Sequence, residues 1–175
     1  MSRHIAFLRA INVGGHTVKM DRLREMFEAL GFADVETFIA SGNLLFDSKG
    51  APAALERKIE QRLADALGYE VATFIRSPSE LAAIVAHPAF PDRILAKAHA
   101  LWIGFLKAAP SATAMDKLMA LGRDTDDFHV HGRELYWLRH VTSGDSKVTG
   151  ATVERALGAQ ITARNITTIR KLTSA

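Results

Sequence analysis

Residues 4–31 read HIAFLRAINVGGHTVKMDRLREMFEALG, an apolar run, a glycine-bearing loop and an amphipathic segment in succession. His4–Ala10 has the composition of a buried strand. Met20, Leu23, Met26, Phe27 and Leu30 recur at the spacing of one helical face, and Gly31 is placed to end that helix. Asp34–Ala40 and Asn43–Ser48 read as two strands joined at Ser41-Gly42. Pro52 opens a second helix with a stripe of Leu55, Ile59, Leu63 and Leu67, stopped by Gly68. Val71–Arg76 is a further strand. Ser77-Pro78-Ser79-Glu80 then reads as an N-cap, a first-turn proline and a capping-box glutamate, opening a helix that stops before Pro88.

The resulting order, β-α-β-β-α-β plus a helix, partly recurs after a connector at Pro88–Lys97. His99–Leu106 is a strand, Ser111–Leu121 a helix, and Phe128–His131 with Glu134–Arg139 a hairpin around Gly132. Helices at Lys147–Leu157 and Ala163–Leu172 follow. The pattern predicts an α+β protein: two ferredoxin-like (split β-α-β) subdomains with additional helices, residues 1–90 and 91–175, packed as one compact unit, the second altered. One continuous mixed sheet is the other arrangement the pattern allows. In Ile5-Ala6-Phe7-Leu8 and Leu44-Leu45-Phe46 both alternating faces are apolar, so these strands want cover on both sides. That counts against an open RNA-binding sheet with stacking aromatics.

Composition narrows the function classes. The 175 residues include no cysteine, which removes disulfides, thiolate ligands and cysteine nucleophiles. No apolar run reaches the ~18 residues of a membrane span, and Met1–His4 leads into a strand without a signal-peptide pattern, so a cytoplasmic protein with no membrane partner is expected. The net charge is +3, and from Arg139 onward six Lys/Arg stand against two Asp/Glu. A basic C-terminal segment suits an anionic partner, while a solvated basic face is the plainer explanation.

The loop at residues 11–19 is neither a mononucleotide P-loop nor a dinucleotide fingerprint. Gly14 and Gly15 permit left-handed backbone angles, Asn12 can donate and accept, and Arg9 and Lys19 flank the loop, Lys19 just before a helix start. Together they could form a nest-type anion site. Equally, the glycines shape a turn and Asn12 ties the loop to itself.

Three stretches taken together, LRAINVGG followed by KM, TFIASGNLLF and ITARNITTIRKL, resemble the bacterial family known as domain of unknown function 1697 (DUF1697), whose members read approximately LRGINVGG, TYIQSGNVVF and TTRNWxTVxKL. Ala10, Phe38, Ala40 and Ile166 depart from a glycine, a tyrosine, a glutamine and a tryptophan. The resemblance implies an α+β arrangement of ferredoxin-like subdomains and no established activity. It marks Arg9, Asn12, Gly14, Gly15 and Lys19, then Ser41, Gly42 and Asn43, and finally Thr162, Arg164, Asn165 and Thr168.

Read as chemistry, Thr162 suits the N-cap of the last helix, with Arg164 and Asn165 in its first turn and Thr168 on the same face as Arg164. An arginine there opposes the helix dipole and is easier to understand beside an anion. The expectation is a polar cleft between the halves formed by the first loop, the Ser41–Asn43 corner and Arg164, binding a small anionic ligand, phosphate-bearing or a nucleotide. Two alternatives stand beside it. The same groups form a hydrogen-bond network serving stability, with function in partner binding, or Arg164, Arg170 and Lys171 bind nucleic acid. No residue pattern specifies a reaction, a cofactor or a metal. His129 and His131 share a strand face with His140 nearby, and read as surface histidines. Asp124, Asp126 and Asp127 read as a turn ending a helix, Ser143, Ser146 and Lys147 form a small polar cluster, and no G-x-S-x-G elbow is present.

Overall fold

Both apolar faces of the first strand are accounted for by its place in a sheet. The computed structural model describes residues 1–12, 14–39, 42–122 and 124–175. In it β1 (Ser2–Leu8) runs between β3 (Asn43–Ser48) and β4 (Thr73–Arg76), antiparallel to each, and β2 (Ala33–Thr37) pairs with β3. The order is β2-β3-β1-β4. Helices α1 (Met20–Ala29) and α2 (Pro52–Leu67) cover one face. There Leu23, Met26, Phe27, Leu55, Ile59 and Leu63 pack with Ala6, Leu8, Leu44, Phe46 and Ile75. On the other face Ile5, Phe7, Leu45 and Phe74 are buried as well. Each fully buried Leu or Phe contributes about 1.5–3 kcal/mol by leaving water.

The chain divides into two compact units, Met1–Ala82 and Ala83–Ala175, with α3 (Pro78–Ala86) spanning the division. The start of α3 is the predicted capping box: the Glu80 N–H donates to Ser77 Oγ at 3.1 Å and the Ser77 N–H to Glu80 Oε2 at 2.7 Å. The connector at Pro88–Lys97 contains one helical turn, α4 (Asp92–Leu95). Beyond it come β5 (Ala100–Phe105), α5 (Ala112–Leu121), β6 (Asp126–His131), β7 (Glu134–Arg139), α6 (Gly150–Leu157), β8 (Thr162–Asn165) and α7 (Ile166–Leu172). The second sheet is ordered β6-β7-β5-β8. Two separate four-stranded antiparallel sheets replace the alternative of one continuous sheet, and the α+β, ferredoxin-like reading stands.

One element departs from the expectation. Residues 162–165, read from sequence as the opening of the last helix, form strand β8, and the helix begins at Ile166. With β8 in place the second unit is not altered. Its order matches that of the first strand for strand, including the helix that follows the last strand. The register shows the correspondence directly, because Ile5 faces Arg76 in the first sheet and Ile103 faces Arg164 in the second. Each arginine is followed by the residue that caps the next helix, Ser77 for α3 and Asn165 for α7.

The edge strands β4 and β8 alternate their N–H groups between the neighbouring strand and the outside, and the outward ones need acceptors. Carboxylates supply them along β4 and at the residue just ahead of β8. Glu56 and Glu60 on α2 accept from the Ile75 and Thr73 N–H groups, each at 2.9 Å, and Glu154 on α6 accepts from the Ile161 N–H at 3.1 Å.

Candidate functional site

In the first unit the glycine loop and the strand corner converge. Leu8 donates its N–H to the Gly42 carbonyl and Arg9 its N–H to the Ala72 carbonyl, each at 2.9 Å. Gly42 has φ +78°, and a Cβ there would lie 2.8 Å from Ile11 Cγ2 and 3.2 Å from Leu8 Cβ. Only glycine satisfies both the backbone angle and this approach. Asn43 is fully buried, and its Nδ2 donates to the Phe38 carbonyl at 3.0 Å. Asn12 Oδ1 accepts the Val18 N–H at 2.8 Å and so ties the two ends of the loop together. Ala40 and Ser41 lie outside the described residues.

Between these ties residues 14–17 are exposed. Gly14 and Gly15 both have positive φ, +64° and +84°, with nothing within 4 Å of an added Cβ. His16 stacks on Tyr69 with 3.8 Å between ring centroids. Lys19 is exposed and occupies the N-cap of α1, where it makes no side-chain cap bond. Lysine has no acceptor to offer the first-turn N–H groups, so these are left without a capping side chain at Lys19. Arg9, half-buried at the other end of the loop, completes a cationic margin.

Arg164, Asn165 and Thr168 belong to the second unit, and their placement corrects the sequence reading. Arg164 lies on β8, not in the first turn of a helix, so the argument from the helix dipole lapses and Thr168 shares no helix face with it. Asn165 is itself the N-cap, its Oδ1 accepting the Thr167 N–H at 2.9 Å, and Thr162 is a strand residue. The Arg164 side chain is buried, and its Nη1 donates to Thr162 Oγ1 at 2.7 Å and to the Ala163 carbonyl at 3.0 Å. Burial pulls its pKa down to about 10, which leaves it charged at neutral pH. Arg76, its counterpart in the first unit, is also fully buried and donates to the preceding carbonyl, that of Ile75, at 2.9 Å.

Asp126 opens β6 and is fully buried, in place of the turn read from sequence. It accepts from Trp137 Nε1 at 2.7 Å, Thr125 Oγ1 at 2.8 Å and Ser146 Oγ at 2.6 Å, and pairs with Arg139 Nε at 3.4 Å. The Arg139 guanidinium in turn lies 4.3 Å from the centroid of the Trp137 ring. Beside this network opens a cavity of about 570 Å³ whose lining includes Leu121, Thr125, Val148 and Thr152. Among its described lining residues one cation, Lys147, stands against Asp124 and Asp145, a balance that does not favour an anion.

Of the six cations from Arg139 onward, Arg139 and Arg164 are buried, so the basic excess does not form one exposed stripe. His140 pairs with Asp127 at 2.7 Å, apart from His129 and His131. The residue that joins those two is His87, which sequence reasoning missed. Among the described residues no group of three His, Asp or Glu side chains is arranged to hold a metal ion, and no helix is long and apolar enough to cross a membrane.

The family model of DUF1697, described as a protein of unknown function, matches residues 1–136. The chain belongs to this family. The solved structure of the conserved bacterial protein SP0830 from Streptococcus pneumoniae superposes with a TM-score of 0.72 at 24% sequence identity, covering 99% of this chain and 97% of that one. At that identity the likeness extends to the fold. No functionally curated protein matches this DUF1697 chain.

Proposed function

We propose that this protein binds a small anionic ligand, phosphate-bearing or a nucleotide, at the Arg9–Lys19 loop of the first unit. The observation that carries the reading is the loop itself. Its ends are tied by the Asn12–Val18 bond, its first residue Ile11 packs closely on Gly42, and it leads into the start of α1, where the N-cap residue Lys19 makes no side-chain cap bond. A helix start presents N–H groups and a partial positive charge to an anion. Gly14 and Gly15 leave the approach open, and Arg9 and Lys19 add charge on either side. Under this reading Arg164 and Asn165 serve the fold of the second unit, where strand and cap bonds already employ them.

The test is a thermal-shift screen against inorganic phosphate, sugar phosphates, nucleotides, organic acids and a short oligonucleotide. Wild type, Lys19→Ala and Asn12→Ala run in parallel. Ligand at a hundredfold excess over Kd stabilises the native state by about 2.7 kcal/mol. The expected result is a shift in the wild type that Lys19→Ala reduces and Asn12→Ala abolishes. A shift with the oligonucleotide alone, falling steeply with salt, would move the reading to nucleic acid. No shift with any compound would overturn it in favour of loop and corner motifs that serve stability.

A further inference from the structure

His87 follows the last residue of α3, and its N–H closes the helix by donating to the Ala83 carbonyl at 3.0 Å. Its ring meets two histidines of β6. His87 Nε2 and His129 Nε2 are 2.9 Å apart, with 5.1 Å between ring centroids and 26° between planes, so the two rings lie nearly end to end. His131 stacks on the His87 face at 4.0 Å and 15°. Two imidazole nitrogens aimed at each other at this distance hold one proton between them, one ring donating and the other accepting. If both rings are protonated there is no acceptor, and two like charges are left in contact beside a third imidazole.

We propose that His87, His129 and His131 form a proton-operated clamp that fastens the end of α3 to β6 and opens as the solution acidifies. The surroundings favour the neutral pair. Burial, then His131, then His129, hold His87 below the ordinary imidazole range, and burial followed by His131 does the same for His129. The groups facing the cluster are His131 from β6 and, from β7, Glu134, which is in register with His131, and Tyr136, whose ring lies 5.3 Å from His87. From the connector the Phe90 ring approaches His129. Tyr136 does not titrate in the working range, because burial and then Glu134 push its hydroxyl above the ordinary phenol value. Its hydroxyl donates to the Ile84 carbonyl at 2.9 Å, a second fastening one turn back along α3 that acid leaves intact.

The sign follows from linkage. Groups whose folded pKa lies below the unfolded value, about 6.5 for histidine, contribute stability that is fully present above that value. It is lost as pH falls through the folded one. The release is therefore local, confined to the segment beyond Ile84.

Amide hydrogen exchange of residues 85–87, 89 and 90, corrected for the intrinsic pH dependence of exchange, tests this in the full chain from about pH 7.5 to about pH 5. In the wild type, exchange is expected to speed up about tenfold across that range, while β5 amides stay protected. His129→Gln keeps a hydrogen-bonding side chain without a titrating ring and is expected to lose the step, as is His87→Gln. A wild type with no step, or a step surviving in both variants, would overturn the proposal. Should either variant fold poorly, a titration of the wild-type imidazole resonances decides on its own. Separated steps below the ordinary histidine value support the clamp, and independent titration of His87 and His129 at the ordinary value refutes it.

Discussion

The two units share strand order, antiparallel pairing and the arginine-then-cap junction, yet they lock the same end of the sheet by different means. In the first unit Arg3 on β1 reaches Glu36 on β2, Asp47 on β3 and the Asp34 carbonyl; Glu36 is exposed, and Arg3 and Asp47 are half-buried. In the second, Asp126 on β6 and Arg139 on β7 are buried and supported by Trp137, Thr125 and Ser146. Topology therefore dictates that the strands be joined there, but not whether water takes part in the join. The dry version is the more demanding one, since each buried polar atom depends on the others for its partner.

That difference can be broken experimentally. Asp126→Ala takes the counter-charge from a buried guanidinium, which keeps the Val148 carbonyl, and the acceptor from an indole N–H, and is expected to cost about 3–5 kcal/mol. Arg3→Ala, at the exposed end of the first unit, should cost less than about 1 kcal/mol. Hydrogen exchange of β7 amides for the first variant and β3 amides for the second assigns each loss to its own unit. Equal losses would mean that burial does not separate the two locks.

The hairpin glycines sharpen the comparison at an intermediate scale. Gly42→Ala combines a left-handed backbone with an overlap against Ile11 and Leu8, for an expected cost of about 2–4 kcal/mol. Gly132 turns the second hairpin at φ +59° with only a carboxylate oxygen of Glu134 nearby, at 3.6 Å. There the backbone penalty of about 1–2 kcal/mol stands alone. Urea denaturation of both variants checks the ranking. Smallest and most nearly equal are the caps. Ser77→Ala and Asn165→Ala each remove one side-chain acceptor from a helix start, for about 1 kcal/mol apiece. A much larger loss at Asn165 would mean that it does more than cap α7.

The same comparison explains what could be read in advance. The first unit was legible because VATFIR (residues 71–76) is a mostly apolar run with three β-branched residues, set between Gly68 and a proline-marked helix start. Its counterpart TARN (162–165) is four residues of mostly polar character at a sheet edge. The helical period of Ile166, Ile169 and Leu172 runs up against it, so periodicity alone places the helix start too early. At the loop, the glycines and Asn12 announced a shaped turn, but the atoms they serve lie elsewhere in sequence. That Asn43 supports Phe38, and that Arg164 is buried beside Thr162, are facts of packing. His87 escaped notice because its partner His129 is 42 residues away, and nothing local to either histidine names the other.

The carboxylates along β4 and just ahead of β8 have a bearing on the fate of the protein at high concentration. A bare strand edge is a template on which a neighbouring molecule can lay down its own strand and begin a fibre. Glu56 and Glu60 along β4, and Glu154 just ahead of β8, occupy outward N–H groups that such a strand would have to capture. Each also sets a charged group in its path. These helix side chains thus guard the molecule against self-templated aggregation as well as completing its hydrogen bonding.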